Sequence, residues 1–425
     1  MTLALCSLGV PDASAQSEDT VDSNPIGYIS PDLPEFTLPD YGGQSYEAVV
    51  PDTLDLAQRA RLAIHAMTES TKADRDYDLY GAVSWTPVPH MRLGEFAAEM
   101  SKSQETVILS RLICGSRQNL EAERGWARSL LKCQGPDGLI YTPTKDRPWL
   151  ESVNMAGVEE GLYAEKTDQI LSPFVNGQAL RAMALYAALE KGDFWLQRVR
   201  ALVDGLVKLA VETGDENQYA FFWPGPIRAV PVDRRPANPD PLFHFHDGEM
   251  SLVSFGLTLA YRQTGYQPAL ELAGKLTAFQ REVFFTPEGE WLTAHPGAKK
   301  AHVHAHGRAL MSMADYALAT QDDELLKFVA ASYSWARTKA EPITGFFPNH
   351  LPCPVWRMPK HVSGSMAQGR LHELTAETGR SATNLGEIAG LADMIGVALL
   401  LSESETLDCW DDVDRWARTC WPNHS

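Results

Sequence analysis

Residues 307–339, GRALMSMADYALATQDDELLKFVAASYSWARTK, decide the fold of this chain. They contain two apolar runs with helical spacing, separated by a short polar turn at Asp322, and this pattern is typical of a helical hairpin. The pattern recurs along the chain with turns near Gly115, Gly192, Gly265 and Ser404. A helix within residues 54–70 would supply a sixth hairpin. The recurrence predicts an all-α fold.

The connections between the hairpins are long and rich in Pro, Gly and aromatic residues. Tight solenoids have little sequence between copies, whereas long connections suit a closed ring. We therefore predict an (α/α)6 toroid of helical hairpins over residues 52–425. In such a ring the N-terminal ends of the inner helices and the loops above them line one concave face, where a site can form.

Composition limits the partners of the chain. Of its 425 residues 44% are hydrophobic, and 37 basic against 55 acidic residues give a net charge of −18. This charge repels nucleic acid and anionic membrane surfaces. No run reaches the roughly 18–20 apolar residues that span a bilayer. We expect neither a nucleic-acid nor a membrane partner, and the oligomeric state stays open.

The N-terminus resembles an export signal. A short apolar stretch precedes Ala13, Ser14 and Ala15, a run of small residues that matches the cleavage rule of signal peptides. We expect residues 1–15 to be a signal-peptide remnant, residues 16–51 a linker or surface strap, and the protein to be secreted or periplasmic.

The six cysteines form no Cys-x-x-Cys pair. Cys6 would leave with the signal, and the scattered remainder argues against a disulfide framework. Free buried thiols are one interpretation. A bridge between Cys114 and Cys133, which flank one hairpin, is the other.

Three segments rich in ionisable residues each precede an apolar helix. Parallel inner helices would bring these three entrances to the same rim of the ring, so their side chains could converge. We predict that His246, His304, Glu373 and Glu387 face one cavity. The candidate residues of the segments are, in order, His246, Asp247 and Glu249; His302, His304, His306 and Arg308; and His361, Arg370, His372, Glu373, Glu377 and Glu387.

Aromatic residues in the long connections are candidate walls of this cavity. The C–H faces of sugar rings stack on aromatic side chains, while sugar hydroxyls hydrogen-bond to charged groups. A carbohydrate is therefore the expected partner. The tryptophans expected to contact it are Trp85, Trp223 and Trp356.

Simpler interpretations exist for several of these residues. Glu387 fits a capping box that begins at Asn384. Asp247 and Glu249 fit the first turn of a helix, where the helix dipole favours acids. The alternating histidines fit a solvated loop, a site lining or a metal site, and His-x-His alone is a weak metal signal.

At these segments the chain resembles the six-hairpin β-L-arabinofuranosidase family of glycoside hydrolases. The similarity is spread over residues 170–420, and the segments that carry it are VHAHGRALMSMADYALATQDDELLKFVAASYSWA, HDGEMSLVSFGLTLAYRQTGYQPALELA and KHVSGSMAQGRLHELTAETGRSATNLGEIAGLADMIGVALLL. The resemblance implies that His304 contacts substrate, and His306 stands where the family has an Asn. It also implies that Glu373, or alternatively Glu377, is the general acid/base.

The chain departs from this family at the metal. The resemblance implies that Glu387 stands at the position of the zinc-binding Glu, but Ala389 stands where the next ligand, a Cys, is expected. The Cys-Cys pair that holds the family's nucleophile is absent from the sequence. Either the chain is a truncated form of a longer protein, or it is a relative that lost the metal. We expect no cofactor and no metal dependence, although a replacement set of His304, His306 and Glu387 is conceivable.

Three functions follow as expectations. The first is a glycoside hydrolase on a neutral oligo- or polysaccharide, with Glu373 as acid and a second carboxylate as its partner; that partner would be Asp247, Glu249 or Glu387. The second is a polysaccharide lyase or sugar epimerase, with His246, His304 or His306 as base and Arg308 or Arg370 neutralising an anion. The third is a non-catalytic carbohydrate-binding protein.

Overall fold

The computed structural model describes most of the helical part of the chain. The described residues are 33–42, 55–75, 77–80, 82–84, 90–92, 96–143, 169–190, 192–222, 227–228, 247–292, 300–341, 345–348, 350–352 and 388–419. These residues contain eleven α-helices: α1 Leu56–Glu69, α2 Phe96–Cys114, α3 Leu120–Lys132, α4 Pro173–Leu189, α5 Phe194–Leu209, α6 Asp247–Thr264, α7 Gln267–Phe284, α8 Val303–Thr320, α9 Asp323–Arg337, α10 Ile388–Glu403 and α11 Trp410–Thr419.

Five consecutive helix pairs, from α2–α3 to α10–α11, form hairpins with turns at the predicted places. Gly115 and Gly265 have φ values of 65° and 67°, a left-handed conformation that glycine adopts without steric cost. Gln321 ends α8 with φ 60°, and the carboxylate of Asp322 caps α9 by accepting from the Leu325 N–H. The predicted hairpins are therefore confirmed.

The two helices of a hairpin differ in burial. Residues on all sides of α4 are buried, which identifies an inner helix enclosed by neighbours. The buried residues of α5 lie on one stripe instead, as expected for an outer helix; they are Trp195, Val199, Leu202, Val203, Gly205 and Leu206.

The inner helices pack side by side in chain order, α2 on α4, α4 on α6, α6 on α8 and α8 on α10. Helices α4 and α6 approach closely, since a Cβ added at Gly256 would lie 2.6 Å from the carbonyl oxygen of Gly177. Helix α1 packs beside α2, and Asn119, which precedes α3, donates hydrogen bonds to Thr68 and Glu69 at the end of α1. The fold is the predicted all-α (α/α)6 toroid.

Short antiparallel strands lie between the helices. They pair as β1–β2, β3–β4–β7, β5–β6 and β8–β9. Their bounds are β1 Ala82–Ser84, β2 His90–Arg92, β3 Tyr141–Pro143, β4 Gln169–Leu171, β5 Val211–Thr213, β6 Tyr219–Phe221, β7 Ile227–Arg228, β8 Lys300–His302 and β9 His350–Pro352. The β8–β9 pair matters for the site because it leads directly into α8.

Residues 33–42 lie across the outer helices. The ring of Phe36 stacks on Phe194 with centroids 6.4 Å apart. The hydroxyl of Tyr41 donates a 2.5 Å hydrogen bond to Glu123, which also forms a buried 2.6 Å ion pair with Arg111. A buried carboxylate needs such partners, so this segment contributes to the core. The boundaries predicted at residues 15 and 51 lie outside the described residues.

The described cysteines Cys114, Cys133 and Cys409 are buried and form no disulfide. The bridge considered between Cys114 and Cys133 is not formed, which confirms the interpretation as buried thiols. Among the described residues, no helix combines the length and apolar character needed to cross a membrane.

Candidate functional site

Among the predicted site residues, His304 in the first turn of α8 has the best-defined contacts. His304 follows Val303, the first residue of the helix, and its Nδ1 lies 2.5 Å from Oδ2 of Asp393 on α10. The two side chains are only 15% and 10% exposed. A histidine and a carboxylate are therefore held together between two inner helices, and we call them the His304–Asp393 dyad.

Two glycines allow this close approach of α8 and α10. A Cβ added at Gly307 would lie 2.8 Å from the Cβ of Asp393. One added at Gly390 would lie 3.0 Å from Val303 and 3.1 Å from the backbone nitrogen of His304. Contacts under 3.0 Å require a shift of the neighbour, so glycine at position 307 fixes the spacing of the dyad.

Burial and charge act on Asp393 in opposite directions. Burial is the larger effect and raises the pKa of the Asp393 carboxyl, while the hydrogen bond and charge of His304 lower it. The positive charges of Arg308 and Arg181 also lower the pKa of this carboxyl. The net direction is upward, because desolvation penalises the ionised carboxylate.

Arg308 lies one helical turn beyond His304 on the same face of α8, and its side chain is partly exposed. Arg181 lies on α4, on another side of the ring. Both arginines therefore lie near enough for their charge to act on Asp393.

Arg181 itself contacts two other inner helices. Its guanidinium pairs with Glu105 of α2 at 2.5 Å and lies over the ring of Phe255 of α6, 4.2 Å from the centroid. The Arg181 and Glu105 side chains are 15% and 14% exposed. These contacts hold the Arg181 guanidinium where three inner helices, α2, α4 and α6, meet.

His306, predicted as a substrate contact, is instead fully buried. Its ring stacks on Trp291 with centroids 4.9 Å apart. Its Nδ1 lies 3.1 Å from the carbonyl oxygen of His302 and its Nε2 2.9 Å from that of Leu292. Two residues along a helix turn the side chain by about 200°, so His306 faces the outer layer while His304 faces α10. We do not retain His306 in the site.

Two further histidines lie beside the dyad. The rings of His302 and His350 stack across the β8–β9 pair, with centroids 5.1 Å apart. The His302 ring also meets the edge of the His304 ring at 6.0 Å. The alternating histidines therefore divide between a core position, His306, and the surroundings of the dyad.

Most other predicted site residues lie outside the described residues, and so does the predicted convergence of His246, Glu373 and Glu387 with His304. Asp247 and Glu249 lie in the first turn of α6, and their side chains are not among the described ones. The predicted residues outside the described ranges are Trp85, Trp223, His246, Trp356, His361, Arg370, His372, Glu373, Glu377 and Glu387.

Sequence reasoning missed Asp393, Arg181 and Glu105. All three lie within inner helices rather than at their entrances. The available signal was a charged residue inside an apolar run, as in LADMIGVALL and GQALRAMALY, because such residues are rarely buried without a partner.

The residues present do not fit the zinc site implied by the family resemblance. The side chain of Ala389 on α10 carries no ligand atom, and both nitrogens of His306 face carbonyl oxygens in the core. Among the described residues, no group of three or more His, Cys, Asp or Glu is arranged to hold a metal ion.

The fold and site define a helical toroid with a polar dyad between its inner helices. Solved structures of other proteins share this fold. A β-arabinofuranosidase of glycoside hydrolase family 127 aligns with 90% of this chain and 54% of its own length, at 13% identity and a TM-score of 0.51. The chain thus spans about half of that protein. The resemblance to this family is confirmed at the level of the fold.

Two other solved structures align with lower TM-scores. A cellobiose 2-epimerase from Bacillus thermoamylovorans has a TM-score of 0.48 at 12% identity, over 72% of this chain and 79% of its own. A family 88 glycosyl hydrolase from Bacteroides vulgatus has a TM-score of 0.46 at 12% identity, over 84% and 83%. No protein-family model and no curated protein sequence matches the chain.

Proposed function

We propose that this protein is a carbohydrate-active enzyme in which His304 transfers a proton to and from the substrate. The observation that carries the proposal is the His304–Asp393 dyad, held between two inner helices and facing the interior of the toroid. A buried carboxylate beside a histidine is an arrangement that sets the tautomer and orientation of a general base.

The chemistry of the dyad follows from its geometry. Asp393 accepts a hydrogen bond from Nδ1–H of His304, which leaves the lone pair on Nε2. Among the described residues, Asp393 is the hydrogen-bond partner of the His304 ring. When Nε2 takes a proton, the adjacent carboxylate stabilises the resulting imidazolium, as in other histidine–carboxylate pairs.

A histidine base with arginines nearby is best suited to proton transfer at a sugar carbon. Nε2 of His304 removes a proton from a sugar carbon next to a carbonyl or carboxylate group, and a cationic group stabilises the anion that forms. Delivery of a proton to the opposite face of the same carbon inverts it, whereas delivery to the neighbouring carbon, with transfer of the hydroxyl proton between the two oxygens, moves the carbonyl. Epimerases and isomerases follow these routes, whereas a lyase expels a leaving group instead.

The carbohydrate part of the proposal is an analogy of fold. The family 127 enzyme that shares the toroid is described as a β-arabinofuranosidase. The interior site between inner helices is also the kind of concave, partly apolar surface that binds small ligands.

A glycoside hydrolase is the second candidate. The observation that favours it is the raised pKa of Asp393, since a carboxyl that keeps its proton can protonate a leaving group. Glu373 and Glu387 would supply the second carboxylate. Because Asp393 is buried and engaged with His304, the described geometry favours the histidine as the group that meets substrate.

One experiment distinguishes these reactions. The protein is incubated in D2O with D-mannose, D-glucose, cellobiose, an α-mannan, an arabinan and a polyuronate, and products are followed by proton NMR and ultraviolet absorbance. We expect deuterium at the sugar carbon next to the carbonyl, or the absorbance of an unsaturated uronate. New reducing ends without carbon-bound deuterium or unsaturation would replace the proposal with hydrolysis. No change in any sugar would contradict both.

A further inference from the structure

Arg181 occupies a position that its structural contacts do not fully explain. It lies on α4, yet its guanidinium pairs with Glu105 of α2 and covers Phe255 of α6. Its positive charge also acts on Asp315 of α8 and Asp393 of α10. Arg181 therefore contacts two other inner helices, and its charge acts on carboxyls of two more.

The side chain is held in one place. Its stem runs beside Gly256, where an added Cβ would meet the Arg181 Cγ at 3.5 Å. The ring of Phe255 supports the guanidinium plane 4.2 Å away, and Glu105 fixes one of its terminal nitrogens. A cation positioned in this way needs little reorganisation when charge develops nearby.

The guanidinium also keeps unused hydrogen-bonding capacity. An arginine offers five N–H donors, and the buried Nε of Arg181 has no acceptor among the described residues. Leaving a donor without a partner costs stability, and a buried ion pair adds little to stability that an apolar pair would not. Both points favour a role in binding over a purely structural one.

We infer that Arg181 is a catalytic residue that binds the oxyanion formed on the substrate when His304 removes a carbon-bound proton. This rests on the proposed function. His304 Nε2 takes the proton, the electron pair of the broken C–H bond forms a C=C bond, and the carbonyl oxygen becomes the negatively charged oxygen of an enediolate. Arg181 faces that oxygen. The imidazolium exchanges its N–H proton with solvent and then returns a proton to carbon, so no oxidant or other reactant is consumed.

The first test measures binding without turnover. An aldonohydroxamate carries a planar group that mimics an enediolate, and its affinity is measured by calorimetry for wild type, Arg181→Lys, Arg181→Ala and His304→Gln. We expect the Arg181 variants to bind about 100-fold more weakly, the typical effect of removing one oxyanion donor. The His304→Gln variant keeps the Arg181 guanidinium, so its affinity for the hydroxamate should fall far less.

The second test uses the isotope exchange of any active sugar. Arg181→Lys should lower the rate constant of exchange about 100-fold with a small change in KM. Guanidinium chloride, added below the unfolding concentration, should restore part of the rate of Arg181→Ala. A matched control is Arg117→Lys, because Arg117 forms an ion pair with Asp40 on the exposed surface, and it should keep wild-type exchange.

The outcomes separate the two proposals. Unchanged hydroxamate affinity in folded Arg181→Lys, with circular dichroism like wild type, would overturn the inference and leave the dyad intact. Exchange that survives in His304→Gln would overturn the proposed function while the hydroxamate result still decides on Arg181. If Arg181→Ala does not fold, the result for Arg181→Lys, which preserves the charge, decides the test.

Discussion

At the scale of single residues, His304 and Asp393 depend on each other. The buried carboxylate has a raised pKa, and the imidazole that it orients gains a fixed tautomer. The orientation of the imidazole depends on the carboxylate, and the pKa of the carboxyl depends in part on the imidazole. We therefore expect substitution of either one to alter both the stability and the chemistry of the site.

The raised pKa of Asp393 predicts a definite dependence of stability on pH. The folded state holds the proton of this carboxyl more tightly than the unfolded state does. The contribution of Asp393 to stability is therefore fully present below the ordinary aspartate pKa of 3.8, and it is lost as the pH rises through the higher pKa of the folded state. The stability advantage of wild type over Asp393→Asn should be larger at acidic than at neutral pH.

Urea unfolding at several pH values measures this difference. Asp411→Asn replaces an exposed carboxylate and serves as the control, for which a small effect is expected. If the stability advantage of wild type over Asp393→Asn instead grew as the pH rose, the ion pair with His304 would outweigh the desolvation of the carboxylate. That result would contradict the prediction.

Sequence predicted one member of the dyad and not the other. His304 stands directly before an apolar helix, where a polar residue at a helix entrance is conspicuous. Asp393 stands inside an apolar run, and nothing in its neighbours indicates which residue it meets. Contacts between different hairpins depend on how the helices cross, which periodicity does not specify.

At the scale of elements, the crossing of α8 and α10 sets the geometry of the dyad. Gly307 is the point of closest approach to Asp393. The sequence predicted both helices and their hairpins, because apolar spacing and turn residues are local signals. It did not predict that Gly307 faces Asp393, since that depends on packing between two hairpins.

Gly307→Ala tests the importance of this crossing. The added methyl would lie 2.8 Å from the Cβ of Asp393 and must push the helices apart. Because a misplacement of about 1 Å can cost roughly 100-fold in rate, we expect a large loss of exchange activity with the helical circular dichroism preserved. The control is Gly192→Ala, where no atom lies within 4 Å of an added Cβ. Equal activity of the two variants would show that the crossing does not position the dyad.

At the scale of the whole molecule, repeated hairpins with long connections were enough to predict the toroid. The ring brings Glu105, Arg181, Phe255, His304 and Asp393 from five inner helices to one interior. The predicted entrance residues Glu373 and Glu387 lie outside the described residues, so their roles stay predictions. Local patterns indicate which helices form, whereas the site arises from contacts across the ring.

The donor set predicts that the protein works without zinc. Ala389 stands at the expected ligand position, and both ring nitrogens of His306 face carbonyl oxygens. Dialysis against a chelator should therefore leave both the unfolding temperature and the exchange rate unchanged. Activity that is lost on chelation and restored by zinc would show that other residues assemble a metal site.

The most direct test of the central claim is the exchange of carbon-bound hydrogen in His304→Gln. Any sugar that exchanges with wild-type protein in D2O is incubated with this variant and with His65→Gln, in which the replaced histidine is exposed on α1. Removing a general base costs about 10²–10⁴-fold in rate. We predict a loss of that size in His304→Gln and wild-type exchange in His65→Gln. Undiminished exchange in folded His304→Gln would contradict the proton-transfer role of the dyad.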